Sequence, residues 1–119
     1  MPVGNTPGVL TETTAEMAVA LTFAAARRLG EAERFMRAGS YRGWLPDLFL
    51  GTLLAGKTLG IIGAGRIGAA YARMMVLGHG MSVIYHALPG RELPYTVGGY
   101  VTGLLAAGVT VIALVPVVC

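Results

Sequence analysis

Three glycines carry the clearest chemistry in this chain. Gly63, Gly65 and Gly68 fit the pattern G-x-G-x-x-G within Gly63-Ala64-Gly65-Arg66-Ile67-Gly68. In such a turn the first glycine allows a tight exit from a strand. The second lets the backbone approach a pyrophosphate, and the third lets a helix sit close to the strand. The anion then meets free N–H groups at the positive end of the helix dipole. The chemistry would be dinucleotide binding. The pattern alone says little, because 18 glycines in 119 residues give about 0.4 matches by chance. Its surroundings say more. Thr58 to Ile62 is a short apolar run suited to a buried parallel strand. Residues 66–77 are helix formers ending at Gly78, and Ser82 to Tyr85 reads as a second strand. Strand, glycine turn, helix and strand make a βαβ unit of about 30 residues.

A second glycine pattern competes. Gly51 to Thr58 matches G-x-x-x-x-G-K-[ST], the phosphate loop in which the Lys neutralises phosphate and the hydroxyl reaches magnesium. That loop must open a helix, whereas Thr58 is followed by the strand-like Leu59-Gly60-Ile61-Ile62. Gly56-Lys57 is therefore read as the turn into the strand.

The acidic residue that grips the adenosine ribose belongs at the end of the second strand. That place is around His86-Ala87, which holds no Asp or Glu; the nearest acid is Glu92, beside Arg91. A nearby Arg suits a 2′-phosphate, so both NAD and NADP stay open. His79 and His86 are the side chains that titrate near neutrality. His79, between two glycines in a helix-to-strand turn, is expected at the surface, at the end away from the cofactor. His86 falls on the adenosine side rather than the nicotinamide side. Neither is assigned a catalytic role, and no Ser-His-Asp, Cys-His or zinc-ligand spacing is present.

The elements that must hold the glycine turn follow from composition and periodicity. The chain is 55% hydrophobic and 13% charged, too apolar for disorder. Its net charge of +3 is spread out, with no basic run beyond Arg27-Arg28, so no nucleic-acid partner is expected. The single cysteine, Cys119, permits no internal disulfide and fits a reducing compartment. Residues 1–10 form an extended loop and lack the basic start of a secretory signal. A long helix is expected over 13–38. Thr13 and Glu16 have capping-box spacing, Met17, Leu21, Ala24, Ala25, Ala32, Phe35 and Met36 recur at helical spacing, and Gly39 stops it. Residues 40–56 form a connector whose Trp44, Leu45, Leu48, Phe49 and Leu50 must pack on the core or on another subunit. Val109 to Val115 reads as a third strand. Leu93 to Cys119 carries no charge, but Pro94, four glycines and Pro116 interrupt it. Buried strand and small-residue packing are expected there rather than a membrane span.

Taken together, several segments resemble the D-isomer-specific 2-hydroxyacid dehydrogenase family, nearest its plant-type hydroxypyruvate reductase (glycerate dehydrogenase) branch. They are Asn5 to Glu16, Ala25 to Arg28, Phe35 to Gly39, Gly43 to Pro46 and Gly56 to Gly68. The likeness covers about residues 4–86. It implies an α/β fold: a partial Rossmann, parallel βαβ, nucleotide-binding domain preceded by a long interdomain helix. Residues 1–56 then hold the extended loop, that helix and a dimer-type connector. Residues 57–119 hold a truncated cofactor-binding domain. Cofactor contacts implied by the resemblance fall on Gly63, Gly65, Arg66, Ile67 and Gly68. The cofactor would be NAD or NADP, the reaction hydride transfer to a 2-keto acid such as hydroxypyruvate or glyoxylate, and the assembly a homodimer.

The chain also departs from the family. The substrate-binding lobe lies mostly before residue 1 in the family pattern, and the catalytic Arg, Glu and His lie beyond the matching stretch. None of the three can be placed here, so the isolated chain is expected to be inactive. Ile112 to Val118 resembles a later strand of the family, in which Val115 replaces a His and Pro116 matches the following Pro as a cofactor contact. The strand and helix between would then be missing. The family suggests a peroxisome or the cytoplasm, yet the chain ends Val-Val-Cys rather than in a Ser-Lys-Leu-like signal. The alternative is a non-catalytic dinucleotide-binding or dimerising remnant.

Overall fold

Apolar side chains alternating across β1 (Thr58–Ile62) set the centre of the molecule. The computed structural model describes residues 4, 6, 8–86 and 111–114. β1 pairs in parallel with β2 (Ser82–His86) on one side and with β3 (Val111–Leu114) on the other, giving the order β2-β1-β3. The register sets Leu59 opposite Val83 and Ile61 opposite Tyr85, so these four share one face. All four are buried. Against that face packs α3 (Arg66–His79), which returns from β1 to β2 through buried Ala72 and Met75 and the wholly buried Tyr71.

α1 (Thr11–Ala26) lies across α3. Ala15 is buried, and Ala18, Val19, Phe23 and Ala26 pack against the core. The face differs from the expected one. Met17 and Leu21 are exposed, as is Met36 further along. α1 is apolar nearly all round, so periodicity marks a helix without choosing its buried side. The expected capping box is also absent. α1 starts at Thr11, placing Thr13 and Glu16 inside the helix. The backbone turn closed by Thr11 N–H to the Gly8 carbonyl (3.3 Å) starts it instead.

The single helix expected over 13–38 is two. α1 ends at Ala26 and α2 spans Leu29–Arg37, with Arg28 between them at φ 55°. A non-glycine residue in that region needs support. Arg28 forks onto Glu31, 2.7 Å at the closest, and lies over the Phe49 ring at 5.3 Å. The break frees the carbonyl of Ala26, which accepts from the Thr52 N–H at 2.8 Å. The connector thereby docks on the end of α1. Its Leu54 is buried and Phe49 meets Phe35 edge-on, while Trp44, Leu45, Leu50 and Leu53 stay exposed.

α3 runs two residues past its expected end. Gly78 stays helical, and Gly80, at φ 61°, terminates it by donating to the Val76 carbonyl. β3 falls within the expected Val109 to Val115, whose remaining residues lie outside the described part, and no described helix is long and apolar enough to cross a membrane. The residues between β2 and β3, and those beyond Leu114, lie outside the described part.

Candidate dinucleotide-binding site

The glycine turn opens at the C-terminal end of β1. Gly63 follows Ile62 with φ 95°, a conformation that L side chains rarely adopt. Gly65 is extended, at φ −81° and ψ −155°, and caps α3 with no side-chain hydrogen bond. The usual Ser, Thr, Asp or Asn that would cover such an end is missing. No acidic residue stands in the first turn either. The helical ladder begins with Ala69 N–H to the Gly65 carbonyl at 2.8 Å. The N–H groups of Arg66, Ile67 and Gly68 precede it, and a helix leaves such groups for an outside acceptor. An anion placed there meets the positive end of the helix dipole.

Gly68 explains how the helix comes so near the strand. A Cβ there would run into the carbonyl oxygen of Gly63 and lie 3.3 Å from its carbonyl carbon and 3.4 Å from Cγ2 of Ile61. Arg66 is exposed beside the turn, and Ile67 is half-buried against the core. The structure thus brings Gly63, Gly65, Arg66, Ile67 and Gly68 into one turn. Pro116, the remaining expected contact, lies outside the described residues.

Sheet order puts this turn at a junction. From β1 the chain passes through α3 to β2, while β3 flanks β1 on the opposite side. β3 therefore stands where the fourth strand of a doubly wound sheet stands. In such sheets ligands bind beyond the carboxyl ends of the strands, where the strand order reverses. Ile62 and Leu114 pair at those ends, directly below the glycine turn.

The other candidates separate cleanly. Gly51 to Thr58 is no phosphate loop, because Thr58 opens β1 rather than a helix. Gly56, at φ 70°, and the Lys57 N–H to the Leu54 carbonyl make the tight turn into the strand. His79 is exposed at the far end of α3, about 20 Å from the glycine turn at 1.5 Å per residue. Its ring lies 4.6 Å from that of Phe23. His86 is the last residue of β2, in register with Ile62. The described residues hold no cluster of potential metal ligands.

Sequence reading missed one supporting pair. The Tyr71 hydroxyl lies 2.7 Å from Oγ1 of Thr22. Thr22 gives its own proton to the Ala18 carbonyl, so Tyr71 is the donor. Burial pushes the Tyr71 phenol above its ordinary range. This pair ties α1 to α3, the helix whose first turn faces the site. A threonine inside a helix, 49 residues from its partner, gives no local signal.

Comparison with known proteins fits this geometry. Residues 19–107 match the family model "D-isomer specific 2-hydroxyacid dehydrogenase, NAD binding domain". The chain is 70% identical over 86 residues to glycerate dehydrogenase of Cucumis sativus, covering 72% of this chain and 22% of that protein. It is 69% identical over the same length to the peroxisomal glycerate dehydrogenase of Arabidopsis thaliana, with the same coverage. Glyoxylate reductase of Korarchaeum cryptofilum is 54% identical over 91 residues, 76% of this chain and 27% of that one. The chain thus spans roughly a quarter of the length of these relatives. Among solved structures, a Thermus thermophilus protein superposes with a TM-score of 0.83 at 42% identity, covering 97% of this chain and 36% of its own. An acyclic imino acid reductase in complex with NADPH and D-Arg superposes with a TM-score of 0.73 at 27% identity, covering 89% and 33%.

Proposed function

The chain belongs to the D-isomer specific 2-hydroxyacid dehydrogenase family, in its NAD-binding domain, and on that footing we propose that it holds the nicotinamide dinucleotide, NAD or NADP, of an oxidoreductase acting on small 2-keto acids. The observation that carries this reading is the contact of Gly68 with Gly63, which seats the uncapped start of α3 at the strand-order junction. The N–H groups of Arg66, Ile67 and Gly68 would receive the pyrophosphate, and the Arg66 guanidinium would add charge complementarity from the solvent side. Ile67 would fix the turn by its packing on the core. A bound nicotinamide supplies the hydride. Hydroxypyruvate or glyoxylate would be its acceptor, giving D-glycerate or glycolate. The glycerate dehydrogenase and glyoxylate reductase names of the relatives support that substrate class. Turnover is expected only from a protein that also carries the family's Arg, Glu and His.

Self-association belongs to the same reading. Trp44 is 79% exposed, and Leu10, Leu21, Leu29, Leu45 and Leu50 are each at least 58% exposed. So many large apolar side chains on α1, α2 and the connector favour cover by a second copy. A peroxisomal or cytoplasmic home is also part of it, the former supported by the Arabidopsis relative's name.

Titrating the 119-residue chain with NADH, followed by nicotinamide fluorescence, tests the first statement. Saturable binding that Arg66→Glu weakens is expected. A folded chain that binds neither NADH nor NADPH overturns it. Sedimentation velocity at micromolar concentration tests the second, and a monomer there refutes the dimer.

A further inference from the structure

A buried phenol stands one helical turn behind the glycine turn. Resting on the reading above, we propose that Tyr71 is a positioning residue for the dinucleotide. Through its hydrogen bond to Thr22, α1 fixes the first turn of α3 and with it the N–H groups that receive the pyrophosphate.

Tyr71 follows Ile67 by four residues and Gly68 by three. Residues at those spacings are neighbours on one helix face, and Tyr71 lies about 5 Å along the axis from Gly68. Gly68 restrains the strand side of α3, where a Cβ would strike the Gly63 carbonyl oxygen and lie 3.4 Å from Ile61 Cγ2. Tyr71 restrains the α1 side. It is wholly buried, and its hydroxyl lies 2.7 Å from Oγ1 of Thr22. The two restraints fall within one turn of each other, on the segment that opens the helix. Together they set its tilt and its advance along the axis.

The other contacts between α1 and α3 do this less well. Ala15, Ala18 and Val19 are apolar, and apolar burial has no direction. The Arg73–Glu12 pair is exposed and worth little. The Phe23 and His79 rings, 4.6 Å apart, meet at the last residue of α3, the end away from the glycine turn. A hydrogen bond is directional, and this one has a fixed acceptor. Thr22 donates its own proton to the Ala18 carbonyl at 2.8 Å, one turn back in α1, which aims its oxygen. Burial also raises the phenol, so it keeps its proton and donates near neutral pH. The hydroxyl adds direction where Phe would add only volume. N–H groups bind an oxyanion well only at the right distance and angle, and those of Arg66, Ile67 and Gly68 move together when α3 tilts. The coupling is reciprocal: a dinucleotide that fixes α3 also fixes α1.

Equilibrium titration of the full chain and its variants with NADH, well below the unfolding temperature of each, tests this without turnover. Tyr71→Phe and Thr22→Val are each expected to weaken NADH about three- to tenfold while staying folded. The double variant should be no weaker than either single one, since both remove the same bond. Thr22→Ser, which keeps the hydroxyl, should bind like the unaltered chain. Folded variants with unchanged affinity, or losses that simply add, overturn this proposal and leave dinucleotide binding standing. Amide hydrogen exchange of the unaltered chain gives a second reading that no variant's folding can spoil. Saturating NADH is expected to slow exchange in residues 18–26 of α1 more than in α2. Binding that stabilises only the whole fold slows both alike, and that result overturns the coupling. An unaltered chain that binds neither NADH nor NADPH removes both readings together.

Discussion

Two alanine substitutions on one helix should move stability in opposite directions. Gly68 and Gly78 both lie within α3. At Gly78 an added Cβ meets nothing within 4 Å. The substitution then acts mainly by restricting the unfolded chain, and Gly→Ala in a helix stabilises by about 0.5–1 kcal/mol. The lower figure is appropriate so near the C-terminus. At Gly68 the same methyl is driven into the Gly63 carbonyl oxygen, with Ile61 Cγ2 at 3.4 Å leaving no room to slide. The obstacle is backbone tied to β1, so α3 must lift from the strand. Overpacking of this kind costs about 1–3 kcal/mol. Offset by the propensity gain, Gly68→Ala should lose about 1–2 kcal/mol, and the two variants should differ by about 2 kcal/mol. Urea unfolding followed by far-UV circular dichroism reads this directly. With a slope of roughly 1–3 kcal/mol/M, the midpoints should separate by about 1 M. NADH affinity should fall in Gly68→Ala, because its cradle moves, and hold in Gly78→Ala. If Gly68→Ala stabilises the chain as Gly78→Ala does, the close contact of helix and strand is not what shapes the turn.

Other perturbations probe the supports of the site. Tyr71→Phe should cost about 0.5–1.5 kcal/mol by removing a buried hydrogen bond whose partner, Thr22, keeps its own bond to Ala18. The Tyr71 phenol is raised in the folded state, chiefly by burial. Its contribution is thus fully present below the unfolded value of about 10 and lost as pH rises through the folded value. An alkaline unfolding titration should show that loss in the unaltered chain and a smaller one in Tyr71→Phe; identical curves would refute it. Arg28→Gly should lower the thermal midpoint less than Arg28→Ala, because both lose the contacts to Glu31 and Phe49 but only alanine keeps the left-handed strain; the reverse order of Tm values would refute it. Glu12→Gln breaks an exposed pair with Arg73 and should cost no more than about 0.5 kcal/mol, vanishing in about 1 M salt. Gly51→Ala should undo the docking of the connector on α1, since its Cβ would lie 2.9 Å from the Arg27 Cα; a loss of about 1–3 kcal/mol in urea unfolding checks it.

What the sequence determined by itself lies between residues 56 and 86. There each signal is local. A turn glycine before a short apolar run, three spaced glycines, helix formers and a second apolar run dictate β1, the glycine turn, α3 and β2 with ends right to within about two residues. The missing carboxylate after β2 is equally local, a matter of which residue follows which. What only tertiary structure decided involves partners far apart in the chain. Arg27-Arg28 reads as helix, yet the helix breaks there. The Ala26 carbonyl finds a better place for the connector in the Thr52 N–H, and Phe49 and Glu31 hold the strained Arg28. Nothing within one turn of Arg28 announces Phe49. The buried face of α1 was settled the same way. Met17 and Leu21 are more hydrophobic than Ala15, but the face of α1 that meets α3 and the core carries Ala15, Ala18, Val19, Thr22 and Phe23. The place of β3 beside β1 is likewise a pairing choice, and it turns a lone βαβ unit into a sheet with a strand-order junction above which the glycine turn can act. Local preference writes the elements; close packing between distant residues selects their faces, their breaks and their neighbours.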